Sequence, residues 1–135
     1  MTRRPALDSM LLSSADPDRL SDWYAAVLDP ADSATMGTYR VLRFGTFHLM
    51  IDPREGIAPV TAEPARVVLN FDVGDARAVA ERMDAQNTTW VAPLEDRDGS
   101  LFATAQDPDG NYVQIVQLSE EHLAEMQAGE TATAG

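Results

Sequence analysis

The 135-residue chain is long enough to bury one domain's core without disulfides or a structural metal. It has no cysteine, and all ten basic residues are arginine, which excludes disulfides, thiolate ligands, a cysteine nucleophile and lysine Schiff-base chemistry. Twenty-two acidic residues set a net charge of −12, which repels nucleic acid and anionic membranes and attracts cationic partners, besides keeping the protein soluble.

The opening "MTRRPALDSMLLSS" carries too brief an apolar run for a signal peptide or a membrane span, so a cytoplasmic location is expected. "ALDSMLLSS" (Ala6 to Ser14) reads as a strand and "DPDRLSDWYAAVL" (Asp16 to Leu28) as a helix with Leu20, Trp23, Tyr24 and Leu28 in one stripe. "TYRVLRFGTFHLMID" (Thr38 to Asp52) reads as two strands joined at Gly45, and a further strand before them is the least clear of the set. "GIAPVTAEPA" (Gly56 to Ala65) has the prolines of a linker.

The order then repeats. "ARVVLNFDV" (Ala65 to Val73) is a strand, "DARAVAERMDAQ" (Asp75 to Gln86) a helix with Ala76, Val79 and Met83 on its apolar side, and "TTWVAPLE", "SLFATAQ" and "NYVQIVQL" are strands. Asp16 and Asp75 each stand where a carboxylate caps a helix N-terminus. "DPDG" (Asp107 to Gly110) is a tight turn leading into the last strand. Beyond Leu118, "SEEHLAEMQ" starts with a capping box and predicts a short helix, and "AGETATAG" predicts a disordered tail.

These paired units, the closing "DPDGNYVQIVQL", and the segments "SADPDRLSDWY" and "NFDVGDARAVAERM" resemble the vicinal oxygen chelate superfamily of glyoxalase I, extradiol dioxygenases and bleomycin-resistance proteins. The resemblance implies an α+β fold of paired β-α-β-β-β modules, about residues 6–55 and 65–118. The sheets would form a curved cup with helices outside, the homodimer would be the usual assembly, and residues 119–135 would lie beyond the domain. Metal-using relatives take ligands from the first and fourth strand of each module. Counting back seven residues from each helix cap puts these positions at Ser9 and Val68, and the fourth strands put the others at Met50 and Gln114. That set lacks imidazole and carboxylate, so no metal and no cofactor is expected. His48 and Asp52 beside Met50, with Asn70 and Asp72 beside Val68, offer the alternative of a shifted site.

Strand alternation from this register gives Ser9, Leu11, Ser13, His48, Met50, Asp52, Val68, Asn70, Asp72, Tyr112, Gln114 and Val116 as the cup-facing set. The opposite faces, with Leu49, Ile51, Leu69, Phe71, Val113 and Ile115, are core. Trp90 and Phe102 could stack on a flat ligand; core packing is the commoner fate, favoured slightly for Phe102 and less for Trp90, whose neighbours are polar. Arg40 and Arg43 point to opposite faces, so one could enter the cup and hold a carboxylate, or both could be solvated. The reading that results is a metal-free small-molecule binder, with antibiotic sequestration as in bleomycin-resistance proteins. The ligand would be cationic or aromatic and held by Ser9, His48, Met50, Asp52, Asn70, Asp72, Trp90, Phe102, Tyr112 and Gln114. The alternative is a lyase, isomerase or dioxygenase relative acting through His48 as general base, oriented by Asp52 or Asp72, or through a non-standard metal site.

Overall fold

Two aspartates set where the helices begin. Asp16 Oδ1 accepts from the backbone N–H of Arg19 at 3.2 Å and Asp75 Oδ1 from that of Ala78 at 3.1 Å, each satisfying an N–H that the first helical turn leaves free. The computed structural model describes residues 2–133, in two compact units that meet in the expected linker, between Ala62 and Glu63.

The first unit runs β1 (Ser9–Ser14), α1 (Pro17–Leu28), β2 (Asp32–Met36), β3 (Tyr39–Phe44) and β4 (Phe47–Pro53), with sheet order β1-β4-β3-β2. The second runs β5 (Val68–Asp72), α2 (Ala76–Ala85), β6 (Thr89–Arg97), β7 (Ser100–Gln106) and β8 (Tyr112–Gln117), with order β5-β8-β7-β6. Each is therefore the expected β-α-β-β-β module, in which a parallel pair (β1 with β4, β5 with β8) adjoins an antiparallel meander. A short 3-10 turn, Pro64–Arg66, precedes β5, so Ala65 to Val67 are not part of that strand as the apolar run suggested.

The register repeats as well. Ser9 pairs with His48 and Leu11 with Met50; Val68 pairs with Tyr112 and Asn70 with Gln114. Thus Ser9 corresponds to Val68 and Met50 to Gln114. The helix-side faces form the two cores: Leu42, Leu49 and Ile51 lie with Leu20, Trp23, Tyr24 and Val27 of α1, and Ala103, Ala105, Val113 and Ile115 with Ala76, Val79 and Met83 of α2, all buried. Burying each large aliphatic side chain contributes roughly 1.5–3 kcal/mol. Trp23 and Tyr24 meet edge to face at 4.9 Å between ring centres, which accounts for both as packing residues.

The last helix, α3, spans Glu120–Thr133. It is longer than the short helix expected, and the tail predicted to be disordered from Ala128 is helical to Thr133; Ala134 and Gly135 lie outside the described residues. Its first turn is fastened by Ser100. The Ser100 hydroxyl contacts His122 Nδ1 and accepts from the Ser119 N–H at 2.8 Å. His122 thus has a structural partner at the base of α3.

Candidate functional site

In the first module the face away from α1 carries Ser9, Leu11 and Ser13 from β1 and His48, Met50 and Asp52 from β4. β3 adds Val41 beside Met50 and Arg43 beside His48. Of the two arginines of this strand, Arg40 pairs with Asp18 of α1, so Arg43 is the one that reaches the open face. Leu11 is exposed, and Ser9, Val41, Arg43, His48 and Met50 are half-buried.

Asp52, expected on the cup-facing side, is enclosed. It is only 8% exposed, its Oδ2 lies 3.7 Å from Arg54, and its Oδ1 has no hydrogen-bond partner among the described residues. Its charge is partly answered by Arg54 before any ligand arrives, which reduces its pull on a cation. Asp52 also stands four residues from His48 along one strand, about 13 Å at 3.3 Å per residue. Within this module it therefore cannot orient the His48 ring as a general base requires.

In the second module the open face carries Val68, Asn70 and Asp72 from β5 and Tyr112, Gln114 and Val116 from β8. β7 extends it with Phe102, Thr104 and Gln106. Phe102 is on this open side, not in the core that the sequence slightly favoured for it, because Leu101 and Ala103 take the buried alternation. Arg97 stands 5.2 Å from the centre of the Phe102 ring, in cation–π range. Arg97 also donates two hydrogen bonds to Glu95, each 3.1 Å, and these hold the Glu95 carboxyl below its usual range and raise the guanidinium.

Trp90 is a correction. It pairs with Ala105 on the helix side of the sheet, half-buried, and its indole N–H donates to Asp84 of α2 at 2.8 Å. The register of β6 shifts on both sides of Ala92, near Pro93, so alternation does not carry from Trp90 to the residues after it. Trp90 therefore lies off the open face that carries Phe102, Tyr112 and Gln114. Thr104 and Gln106 were missed, although the alternation of "SLFATAQ" against its apolar positions could have placed them.

The turn before β8 is built around one carboxylate. Asp107 is 4% exposed; its Oδ1 accepts the N–H groups of Asp109 and Asn111, and its Oδ2 accepts the Asn111 side-chain amide, all at 2.9 Å. Gly110 takes φ 84°, a left-handed conformation that suits glycine. This closed turn fixes where β8 starts and so which side Gln114 faces.

The four residues that the resemblance puts at metal-ligand positions do not fit a first-row metal. Ser9 and Met50 on one sheet and Val68 and Gln114 on the other bring a hydroxyl, a thioether, a hydrocarbon and an amide, none the imidazole or carboxylate such ions favour. The shifted set is no better: no group of three or more His, Asp or Glu side chains among the described residues could hold a metal ion.

Three solved structures share this fold at low identity. A glyoxalase/bleomycin resistance protein from Albidiferax ferrireducens is 18% identical with a TM-score of 0.69, over 83% of this chain and 98% of its own. TioX from a Micromonospora species is 20% identical with a TM-score of 0.60, over 84% and 98%. The oxidase ChaP-H1 is 19% identical with a TM-score of 0.70, over 86% and 98%. No curated protein matches the chain. The family model described as the glyoxalase/bleomycin resistance protein/dioxygenase superfamily matches residues 6–115. That span takes in the first module, the second as far as Ile115 in its last strand, and the "DPDGN" turn, and the chain belongs to the glyoxalase/bleomycin resistance protein/dioxygenase superfamily.

Proposed function

We propose that this chain binds a small organic molecule on the open faces of its sheets, and that its role is sequestration of an antibiotic-like compound rather than turnover. The observation that carries the reading is the chemistry at the superfamily's ligand positions. Where metal-using relatives carry strong donors, this chain has Ser9, Met50, Val68 and Gln114, which bind organic molecules by hydrogen bonds and contact area. The surrounding residues are of the same kind: Asn70, Tyr112, Thr104 and Gln106 offer neutral donors and acceptors, and Leu11, Val41 and Phe102 offer apolar surface. Similarity to a glyoxalase/bleomycin resistance protein is compatible with binding or turnover, and similarity to an oxidase keeps turnover as the competing outcome. Asp72, exposed on β5, is the acidic group best placed to meet a cationic substituent. The homodimer expected of the superfamily belongs to this same proposal.

The test is a thermal-shift screen of the purified chain against natural-product antibiotics and small organic acids, followed by recovery of each hit. A true ligand at about a hundred times its dissociation constant adds roughly 2.7 kcal/mol of stability. It is expected to be recovered chemically unchanged, with little effect of His48→Ala on that recovery. Conversion of a hit to product, abolished by His48→Ala, would overturn sequestration in favour of acid–base catalysis.

A further inference from the structure

Among the described residues only Arg40 and Arg43 are arginines that are not exposed. Arg40 has its carboxylate, Asp18. Arg43 has none; its Nη1 donates to the Gly45 carbonyl at 3.1 Å, which leaves four of its five N–H donors unused by the protein. In a chain with 22 acidic residues against ten basic ones, a half-buried arginine without an acidic partner is out of keeping with its surroundings. Asp32, across the strand pair from Arg43, is the nearest carboxylate in register, yet its Oδ1 accepts its own neighbour's N–H, that of Ser33, at 2.9 Å.

The next two strands continue the row. Arg43 pairs with His48, and His48 with Ser9, so three adjacent strands carry the three residues in one row on one face, their Cα atoms spanning about 10 Å at two inter-strand spacings. The His48 ring and the Ser9 hydroxyl hydrogen-bond to no other described residue. All three are half-buried on the open face, where partial exclusion of water strengthens a charge-assisted hydrogen bond.

We infer that the Arg43–His48–Ser9 row is an anion-recognition site, and that it takes the carboxylate of a small organic acid. One guanidinium carries one positive charge and a planar fork that matches a carboxylate, while His48 and Ser9 can each donate a further hydrogen bond. A monoanion matches that charge. A phosphate dianion would leave a net negative charge on a protein already at −12. This inference rests on the reading of the open sheet faces as ligand-binding, and adds that the ligand carries an acid group on the first module.

Imidazole proton NMR tests it, because the chain has only two histidines, His48 and His122, and either single replacement assigns both. The probes are benzoate, its neutral counterpart benzamide, and inorganic phosphate, titrated at constant pH and ionic strength. Benzoate is expected to move the His48 signals saturably and leave those of His122 still, while benzamide moves neither. Arg43→Gln should weaken benzoate roughly tenfold or more, with partial recovery in Arg43→Lys, since a charge-assisted bond is lost and then replaced by a point charge. Asp32→Asn should tighten it modestly, because it removes a negative charge across the strand pair from Arg43 that repels the anion. Melting curves that match the parent establish that the Arg43 variants are folded, and Arg43→Lys alone decides if the Gln variant is not. His48 signals that do not respond to benzoate, or respond equally in the Arg43 variants, would overturn the site; phosphate bound more tightly than benzoate would overturn its assignment to a carboxylate. Turnover of an antibiotic would defeat the sequestration reading and leave the benzoate result standing, so the two failures are distinguishable.

Discussion

Replacing Ile115 by alanine is expected to lower the stability of the fold by about 2–5 kcal/mol, while Gln114→Ala, one residue earlier, changes it by roughly 0.5 kcal/mol or less. Ile115 is fully buried on the α2 side of β8, between Phe71 and Ala103 in register. Truncating it removes three carbons and leaves a cavity that the neighbouring strands cannot close without breaking their ladders. Gln114 lies half-buried on the other face, beside Asn70 and Thr104, where a shorter side chain leaves space open to solvent. Urea denaturation checks both: the midpoint should fall strongly for Ile115→Ala at unchanged slope and stay near the parent for Gln114→Ala. Equal losses at the two positions would mean that β8 has no open side, and the site would lose its floor.

Asp107→Ala is expected to cost about 3 kcal/mol, a large effect for a residue outside any strand or helix. The Asp107 carboxylate accepts hydrogen bonds inside the turn from two backbone N–H groups, those of Asp109 and Asn111, and from the Asn111 side-chain amide. Asp107→Asn keeps one acceptor oxygen for those N–H groups but sets its amide against the Asn111 amide, donor to donor, so an intermediate loss is expected. The same denaturation midpoint, compared across Asp107→Ala, Asp107→Asn and Asn111→Ala, separates the backbone bonds from the side-chain one. A loss of less than about 0.5 kcal/mol for Asp107→Ala would show that the turn holds its shape without the carboxylate.

Much of this fold could be read from residue chemistry. The aspartate caps, the helix stripes and the strict alternation of "HLMID" and "YVQIV" each act locally, so they survive without tertiary knowledge. β2 was faint because all five of its residues are exposed; an edge strand with neither face buried leaves no hydrophobic period to detect. Trp90 was read toward a ligand from its polar neighbours Thr88 and Thr89, and only the pairing with Ala105 and the bond to Asp84 show that it lies on the helix side. Arg43 was left undecided between ligand and solvent, since only the partner register shows that Arg40 is spoken for by Asp18 and that Arg43 lies next to His48. The enclosure of Asp52 came from Arg54 and the packing around β4, neither of which has a sequence pattern of its own. Local rules thus placed the strands, while pairing between them decided which side chains share a surface.

Elemental analysis of the purified, dialysed chain tests the central claim most directly, namely that this superfamily member no longer has metal-binding chemistry at its ligand positions. Ser9, Met50, Val68 and Gln114 are too weak a donor set to retain iron, manganese, nickel or zinc through dialysis. The account predicts no transition metal in stoichiometric amount, and no change after incubation with each ion and a second dialysis. One tightly held ion per chain, lost on replacing His48 or Asp52, would contradict it and establish a metal site built from residues outside the superfamily's usual positions.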